Sequence, residues 1–193
     1  MLEINQIEAY RFVSFPKQPN KSGREKLVRV ACLGGGPAGL YFAISMKLRD
    51  PANEVVVIER NKADDTFGWG VVLSDETLTN LADNDPKSAK AIRAHFSYWD
   101  DVAVKYRGAK TVSTGHGFCG IGRKQLLILL QQRARELGVD LRFETEAQSA
   151  ADYNKDYDLV VACDGLNSKT RTDYAEHFQP DIDTRKCKFV WLG

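Results

Sequence analysis

The sequence predicts an α/β protein built around a parallel sheet. Two compact apolar strands, 27–33 and 54–59, lie on either side of a segment with helical periodicity, 37–49. Apolar strands without polar alternation are typical of a parallel sheet that helices cover on both faces. The three elements form a strand–helix–strand unit of about thirty residues, a connection that is right-handed in nearly all proteins.

Each element of this unit has a local cause. The helix 37–49 carries leucine and isoleucine side chains at helical spacing. Pro37 suits its first turn, because the N–H that proline lacks would have no partner inside the helix. Pro51 follows the end of the helix, where a residue that cannot continue it is common. Strand 54–59 then carries an unbroken run of Val and Ile between Glu54 and Glu59.

Capping residues set the boundaries of the later elements. Ser74 is a suitable N-cap for a second helix, and Asp85 with Pro86 opens a third. The glycine-rich passages 68–70 and 115–122 are predicted to be loops. The remaining predicted elements are helices 74–81, 85–95 and 123–137 and strands 101–107, 110–114, 139–143 and 157–163.

Composition and charge narrow the classes of function. The chain has 193 residues, with 27 Lys and Arg against 26 Asp and Glu, and its net charge is +1. This length is enough for one domain with its own core. A net charge near zero gives no bulk field to gather nucleic acid or an anionic membrane. The longest purely apolar runs have about five residues, too few to span a bilayer. Neither nucleic acid nor a membrane is therefore an expected partner.

The first residues and the cysteines indicate a compartment. Residues 1–26 are polar and punctuated by proline, asparagine and glycine, so we expect a flexible extension. They contain no basic segment followed by an apolar one, as a secretory signal would. The four cysteines occur singly, which is typical of a reduced, cytoplasmic protein. His116 and Cys119 form an isolated H-x-x-C without a second ligand pair, so no metal site is predicted.

A glycine motif joins the first strand to the first helix, as dinucleotide binding requires. Gly34 allows a tight turn, Gly36 lets backbone approach a pyrophosphate, and Gly39 lets the helix pack closely on the strand. Backbone N–H groups and the positive helix end would hold the phosphates. The motif G-x-G-x-x-G is formed by Gly34, Gly35, Gly36, Pro37, Ala38 and Gly39.

The end of the second strand supplies an acid at the expected distance. Glu59 lies 20 residues after Gly39. A carboxylate there suits hydrogen bonds from ribose hydroxyls and repels a 2′-phosphate. Arg60 has two interpretations: it neutralises phosphate or stacks on adenine, or it is a solvated surface arginine. With the strand, helix and spacing in agreement, the sequence predicts a Rossmann-like sheet.

A second motif ends the strand 157–163. Asp164 and Gly165 follow that strand directly, and the carboxyl ends of strands line the ligand crevice of such a sheet. Asp164 is placed to accept hydrogen bonds from ribityl or ribose hydroxyls, while Gly165 lets the backbone come close. The alternative is an ordinary Asp-Gly turn.

Together the two motifs resemble the aromatic-ring hydroxylases, the single-component FAD monooxygenases. That family has an Asp-Gly fingerprint ending in Ser-x-x-Arg, and Ser168 and Arg171 match it, although Asn167 stands where the family usually has a charged residue. Arg123 matches the family's arginine at the start of the helix before the Asp-Gly strand.

Two further passages sharpen the resemblance. Residues 65–78 and 114–123 are similar to the branch that contains the salicylyl-CoA 5-hydroxylases and the anthraniloyl-CoA monooxygenases. The resemblance implies FAD as cofactor and NAD(P)H and O₂ as co-substrates. It also implies hydroxylation of a small aromatic acyl-CoA through a flavin C4a-hydroperoxide. The protein would position the ring and exclude water.

The resemblance also implies an organisation into domains. Residues 27–193 would form an incomplete FAD-binding domain, with 96–115 as partial strands of a β-rich substrate domain. The family's third fingerprint, a Gly-Asp pair, has no match after Arg171. We therefore expect the front portion of a hydroxylase, inactive by itself. The alternatives are a non-catalytic nucleotide-binding fragment and another FAD-dependent oxidoreductase on the same scaffold.

No residue is assigned a catalytic role. His116 has a mid-range pKa as a free side chain and could carry a proton, but a histidine in a glycine-rich loop is more often structural or solvated. Trp69 could form a wall for the flavin, although a packing role is favoured. His95 is interpreted as a packing residue beside Phe96 and Trp99.

Overall fold

A computed structural model describes residues 27–63, 65–66, 68–184 and 186–187. The predicted flexible extension, 1–26, lies outside the described residues. The elements in chain order are β1 (Arg29–Leu33), α1 (Pro37–Arg49), β2 (Glu54–Ile58), β3 (Gly70–Leu73), α2 (Asp75–Asn84), α3 (Pro86–Arg93), β4 (Ser97–Trp99), β5 (Val102–Tyr106), β6 (Ala109–Ser113), β7 (Phe118–Gly122), α4 (Arg123–Glu136), β8 (Asp140–Arg142), α5 (Ala150–Tyr153), β9 (Leu159–Ala162), α6 (Lys169–Asp173) and α7 (Ala175–Phe178).

The main sheet is parallel and has the strand order β8-β2-β1-β9. Its register pairs Leu33 with Ile58 on one side of β1 and with Ala162 on the other. Because all strands run the same way, their carboxyl ends meet at one edge. The α/β fold with a parallel sheet, predicted from the apolar strands, is confirmed.

The core lies on both faces of this sheet. One face holds the larger cluster, in which α1 and α4 pack on alternate residues of β1 and β2, among them Cys32 and Val57. The other face holds a smaller cluster that includes Leu33, Val56 and Ala150. Strands apolar on both sides are therefore buried on both sides, as a parallel sheet requires.

A second, antiparallel sheet has the order β3-β7-β4. Two passages predicted to be loops, 68–70 and 115–122, supply part of it, so the loop prediction was wrong for β7 and for the start of β3. Local patterning cannot reveal β7, because its glycines carry no side chains to alternate. Gly120 is needed there because a Cβ would lie 3.1 Å from Trp99 Cη2, whose ring covers it.

Strands β5 and β6 form a hairpin and lie between β4 and β7 in the sequence. All ten of their residues are exposed. The predicted strand 101–107 is confirmed with one residue fewer at each end, and the predicted strand 110–114 is confirmed one residue earlier, at 109–113. Their assignment to a substrate domain stays a prediction. Within the described residues, no helix is long and apolar enough to cross a bilayer.

Two polar contacts fix the helices to their neighbours. Arg133 of α4 donates from Nε and Nη2 to the two carboxylate oxygens of Asp85 at 2.8 and 3.0 Å, and Asp85 is 2% exposed. Lys47 of α1 donates from Nζ to the carbonyl oxygens of Pro51 and Asn53. The first joins α4 to the α2–α3 junction, and the second fixes the turn between α1 and β2.

Candidate dinucleotide site at the edge of the parallel sheet

The glycine turn is built by close backbone packing against the neighbouring strands. The N–H of Gly34 donates to the Ile58 carbonyl at 2.8 Å, and its φ of +121° favours glycine. A Cβ on Gly34 would overlap the carbonyl of Cys163, and a Cβ on Gly39 would overlap the carbonyl of Gly34. Two of the three motif glycines are therefore required by the packing of the turn itself.

Gly36 differs, because no atom lies within 4 Å of the place where its Cβ would be. It is the N-cap of α1, and its φ of −71° suits any residue. The first turn of α1 has no acidic residue and no side-chain cap, and Pro37 opens it. The free space thus lies at a positive helix end whose N–H groups have no side-chain acceptor among the described residues, which is an arrangement that binds anions.

Glu59 connects the second strand to the glycine turn. Its Oε2 accepts a hydrogen bond from the Gly35 N–H at 2.7 Å, and its Oε1 accepts two from Asn61, each at 2.8 Å. A Cβ on Gly35 would lie 2.8 Å from the Glu59 Cβ. The sequence interpretation missed this need for Gly35, because the motif leaves its position unspecified. Each carboxylate oxygen has two lone pairs, so Glu59 can still accept from a ribose hydroxyl.

Asp164 organises the segment after β9. Its Oδ1 accepts from Ser168 Oγ at 2.7 Å and its Oδ2 from the Thr170 N–H at 3.0 Å. Partial burial acts to raise the pKa of this carboxyl, but the hydrogen bond from Ser168 and those from Thr170 outweigh it and hold the pKa below its ordinary value. Gly165 has a φ of +78°. Both carboxylate oxygens are thus engaged within the chain.

A cleft of about 100 Å³ lies between the glycine turn and α4. Arg123 and Thr66 both line this cleft. Each has one buried polar atom, Arg123 Nε and Thr66 Oγ1, without a hydrogen-bond partner among the described residues. Buried polar atoms normally have partners, so these two mark a place for ligand atoms. The cleft is lined by Gly35, Gly36, Glu59, Asn61, Lys62, Ala63, Asp65, Thr66, Arg123, Leu127, Gln131 and Phe143.

The structure brings together some of the predicted site residues and separates others. Gly36, Glu59 and Arg123 line one cleft, although they come from three parts of the chain. Asp164 does not line this cleft and lies behind Gly34 instead. A Cβ added to Gly34 would be 3.1 Å from the backbone nitrogen of Asp164. Arg60 is exposed directly after the second strand.

The cleft also contains residues that the sequence interpretation missed, among them Thr66 and Gln131. Gln131 is 5% exposed and donates from Nε2 to the Ala63 carbonyl at 2.7 Å. A glutamine on the apolar stripe of α4 was the available signal.

The two histidines and the tryptophan considered in the sequence analysis do not line the cleft. His116 Nε2 is 2.6 Å from Ser113 Oγ, and its ring stacks on Phe118. Trp69 is 61% exposed, which disfavours the packing role expected for it, and its carbonyl accepts a hydrogen bond from the Arg123 N–H. His95 Nδ1 is 2.9 Å from the Ala91 carbonyl oxygen. Among the described residues no group of three metal-ligating side chains occurs.

The parallel sheet, the glycine turn at its carboxyl edge and the acid after β2 define a dinucleotide-binding domain of the Rossmann type. Comparison with known families identifies which one. The chain belongs to the family described as "FAD binding domain", whose sequence profile matches residues 27–185. FAD is therefore the dinucleotide of this fold.

Curated relatives are monooxygenases. Over 166 residues the chain is 46% identical to a salicyloyl-CoA 5-hydroxylase from Streptomyces sp, covering 86% of this chain and 32% of that protein. It is 32% identical to a 3-hydroxy-4-methyl-anthranilyl-[aryl-carrier protein] 5-monooxygenase from Streptosporangium sibiricum, covering 86% of this chain and 46% of the relative. The chain thus spans between a third and a half of the length of these relatives.

Solved structures give the same fold. A variant of 2-methyl-3-hydroxypyridine-5-carboxylic acid oxygenase superposes with a TM-score of 0.64 at 26% identity, over 76% of this chain and 42% of that one. The resemblance to aromatic-ring hydroxylases in the FAD-binding region is confirmed by these relatives.

The residues present fit the ADP part of FAD. Open space at Gly36 meets an uncapped helix end, which suits the diphosphate. The Arg123 guanidinium has an unpartnered buried Nε at the same cleft. A cleft of about 100 Å³ is nevertheless smaller than the pockets of roughly 300–1,000 Å³ that enclose ligands of drug size. The described residues therefore supply one wall of a larger site.

Proposed function

We propose that this chain is the FAD-binding portion of an NAD(P)H-dependent flavoprotein monooxygenase that hydroxylates the ring of a small aromatic acyl-CoA. The observation that carries the proposal is the cleft between the glycine turn and α4. It places an uncapped helix end, an acid suited to ribose and an arginine with an unpartnered nitrogen around one space.

Each residue of the cleft has a distinct part in binding. The first-turn N–H groups of α1 and the Arg123 guanidinium hold the diphosphate by charge-assisted hydrogen bonds. Glu59 accepts from the adenosine ribose, and its negative charge selects against a 2′-phosphate. Arg60, Pro37 and Ala38 border the phosphates. Asp164 supports the turn from behind and accepts hydrogen bonds from hydroxyl groups of the flavin side chain. Gly165 lets the backbone come close to that side chain.

The flavin, when bound and reduced by NAD(P)H, supplies the reaction with O₂, and the protein supplies orientation and exclusion of water. The acyl-CoA class is supported by the name of the Streptomyces relative. Hydroxylation of an electron-rich ring is supported by both curated relatives. A reduced, cytoplasmic setting belongs to the same proposal and is supported by four free cysteines.

The first test is a visible spectrum of the purified chain after incubation with FAD and removal of excess. Flavin absorbance in a 1:1 ratio with protein is expected. Gly36→Val should abolish it, because the added methyl groups would enter the open space beside the helix end. Ala52→Val, at an exposed turn, is the matched control and should bind FAD normally. Normal FAD binding by Gly36→Val would refute the phosphate role of the turn.

The second test concerns turnover. NAD(P)H oxidation and ring hydroxylation of salicyloyl-CoA are followed with the FAD-loaded chain. Product would establish the proposed reaction. The chain is expected to be inactive by itself, so FAD binding without NAD(P)H oxidation agrees with an FAD-binding portion. Absence of both FAD binding and oxidation would favour the non-catalytic fragment, and oxidation without a hydroxylated ring would favour another FAD-dependent oxidoreductase.

A further inference from the structure

The β5–β6 hairpin has an unusual surface. All ten residues of its strands are exposed, so both faces of the ribbon are open. A two-stranded ribbon open on both faces is marginally stable on its own. Its stability therefore depends on the side chains near its turn.

The strand positions next to the turn weaken the ribbon. Lys105 and Lys110 are directly opposite each other in the antiparallel register. Side chains at such positions project from the same face with their Cβ atoms roughly 5 Å apart, and like charges there repel. An opposite charge at either position would have stabilised the pair.

The turn itself contains a second unfavourable choice. Arg107 and Gly108 both have positive φ angles, +48° and +81°, as in a type I′ turn. The first position of that turn favours Asn, Asp or Gly, whereas a long side chain there is strained. The Arg107 guanidinium lies over the Tyr106 ring, 5.2 Å from its centroid, which holds the charge close to the tip.

These three cations are not neutralised by neighbouring acids. Residues 102–113 include no Asp or Glu, and the nearest acids in sequence, Asp100 and Asp101, precede the other end of the ribbon. The ion pairs of the described residues do not include Lys105, Arg107 or Lys110. Three local choices thus raise the positive charge of one tip while they weaken the hairpin.

We propose that this basic tip, defined by Lys105, Arg107 and Lys110, binds the phosphate groups of the CoA part of the substrate. The inference rests on the proposed function, because it takes the acyl-CoA class from there. CoA carries a diphosphate and a 3′-phosphate, so its negative charge is concentrated at one end. Two lysine ammonium groups and an arginine fork match such a polyanion. Its binding would remove the repulsion between the two lysines.

The position of the tip suits a long ligand. Five residues in each strand give the ribbon a length of roughly 17 Å. The ribbon starts beside Trp99 and ends close to His116, whose N–H donates to the Asp100 carbonyl at 3.1 Å. The phosphates and the reacting ring lie at opposite ends of an acyl-CoA, so a phosphate site at the tip does not compete with the ring for the same place.

The test is a calorimetric titration of the FAD-loaded chain with CoA and with 3′-dephospho-CoA. Arg107→Asn should weaken CoA binding about threefold, the size typical of one exposed charge contact. The triple variant Lys105→Gln, Arg107→Asn, Lys110→Gln should weaken it about tenfold or more and flatten its dependence on salt. Both should melt at or above the wild-type temperature, because they relieve strain and repulsion. A merely structural role cannot produce tighter folding with weaker binding.

The control is Lys90→Gln with Arg93→Gln, which removes two exposed cations from α3 and should leave CoA affinity unchanged. Equal CoA affinity in the wild type and the triple variant would overturn the proposal, as would a wild type that binds FAD but no CoA. A triple variant that loses only a carrier-protein-linked substrate would also overturn it and assign the tip to an acidic protein. Loss of FAD absorbance in the wild type would instead refute the proposed function, so the two failures are distinguishable.

Discussion

At the scale of single residues, the motif glycines perform different tasks. Gly34 and Gly39 are required by backbone contacts within the turn, whereas Gly36 faces open space. The sequence analysis already gives the three glycines different roles, and the structure adds which backbone atoms Gly34 and Gly39 would meet. Their substitutions should therefore affect different measurements.

Gly34→Ala should lower the free energy of unfolding by about 3 kcal/mol, because the residue has φ near +121° and its Cβ would meet the Cys163 carbonyl. Gly36→Ala should lower it by only about 1 kcal/mol or less, since its backbone is ordinary and the space is free, and the loss is limited to the advantage of glycine over alanine at an N-cap. Urea unfolding of the chain without FAD measures both. Equal destabilisation of the two variants would contradict the separation of roles.

Asp164→Asn should cost about 1 kcal/mol of stability, because an amide replaces one of the two acceptor oxygens at the start of α6. Ser168→Ala removes the hydroxyl that donates to Asp164 and accepts from the Arg171 N–H, and should cost a similar amount. The double variant should lose less stability than the sum of the two single losses, because the residues share a hydrogen bond. Strict additivity would show that they act independently.

At the scale of elements, the sequence predicts the regular parts of the fold well. The bounds of α1 are as predicted, since a proline, a periodic apolar stripe and a second proline mark them. The Ser74 cap is also confirmed, as its hydroxyl accepts from the Thr77 N–H. Strand β7 is different: its glycines give no alternation, and its partners β3 and β4 come from distant segments.

The candidate site shows the same division. The glycine turn and Glu59 follow from strand, turn and helix signals that are local. The resemblance matches Arg123 to the family's arginine but does not say that it lies in the same cleft as Glu59. Its contact with the Trp69 carbonyl and its unpartnered Nε depend on how α4 packs against β3. Thr66 carries no pattern that would have selected it, and the signal for Gln131 was its place on the apolar stripe of α4.

The contact between α4 and the α2–α3 junction should respond to acid. Burial acts to raise the pKa of Asp85, but the hydrogen bonds from Arg133 and Ser88 outweigh it and hold the pKa below its ordinary value of 3.8. Because the folded pKa is the lower one, this stabilisation is complete above pH 3.8 and is lost as the pH falls through the folded pKa.

Asp85→Asn should therefore reduce the free energy of unfolding at pH 7 by about 2 to 3 kcal/mol and flatten its decline in acid. Asp140→Asn is the matched control, since Asp140 and Arg142 form an ion pair of equal length, 2.8 Å, that is half exposed on both sides. It should change stability by less than about 1 kcal/mol. Equal losses in the two variants would contradict the importance of burial.

At the scale of the whole molecule, the four thiols report how the fold protects its interior. Burial is the main cause that raises the pKa of Cys32 to about 12, and burial likewise raises the pKa of Cys163. Cys119 is buried and Cys187 is exposed. Since the thiolate is the reactive form, a disulfide reagent at pH 7.5 should modify one thiol rapidly and all four after unfolding. Cys187→Ser should remove the rapid phase, and a rapid phase that survives would contradict the fold.

The pairing of β1 with β9 has a consequence for synthesis on the ribosome. Arg29 and Asp158, which meet through a hydrogen bond at 2.9 Å, are 129 residues apart. At about 5–20 residues per second, the strand that supports the glycine turn emerges roughly 6 to 26 seconds after it. Until then one edge of the central strand is unpaired and Gly34 has no wall behind it. The surroundings of the glycine turn are therefore completed late in synthesis, and during that interval the open strand edge is exposed to wrong pairing.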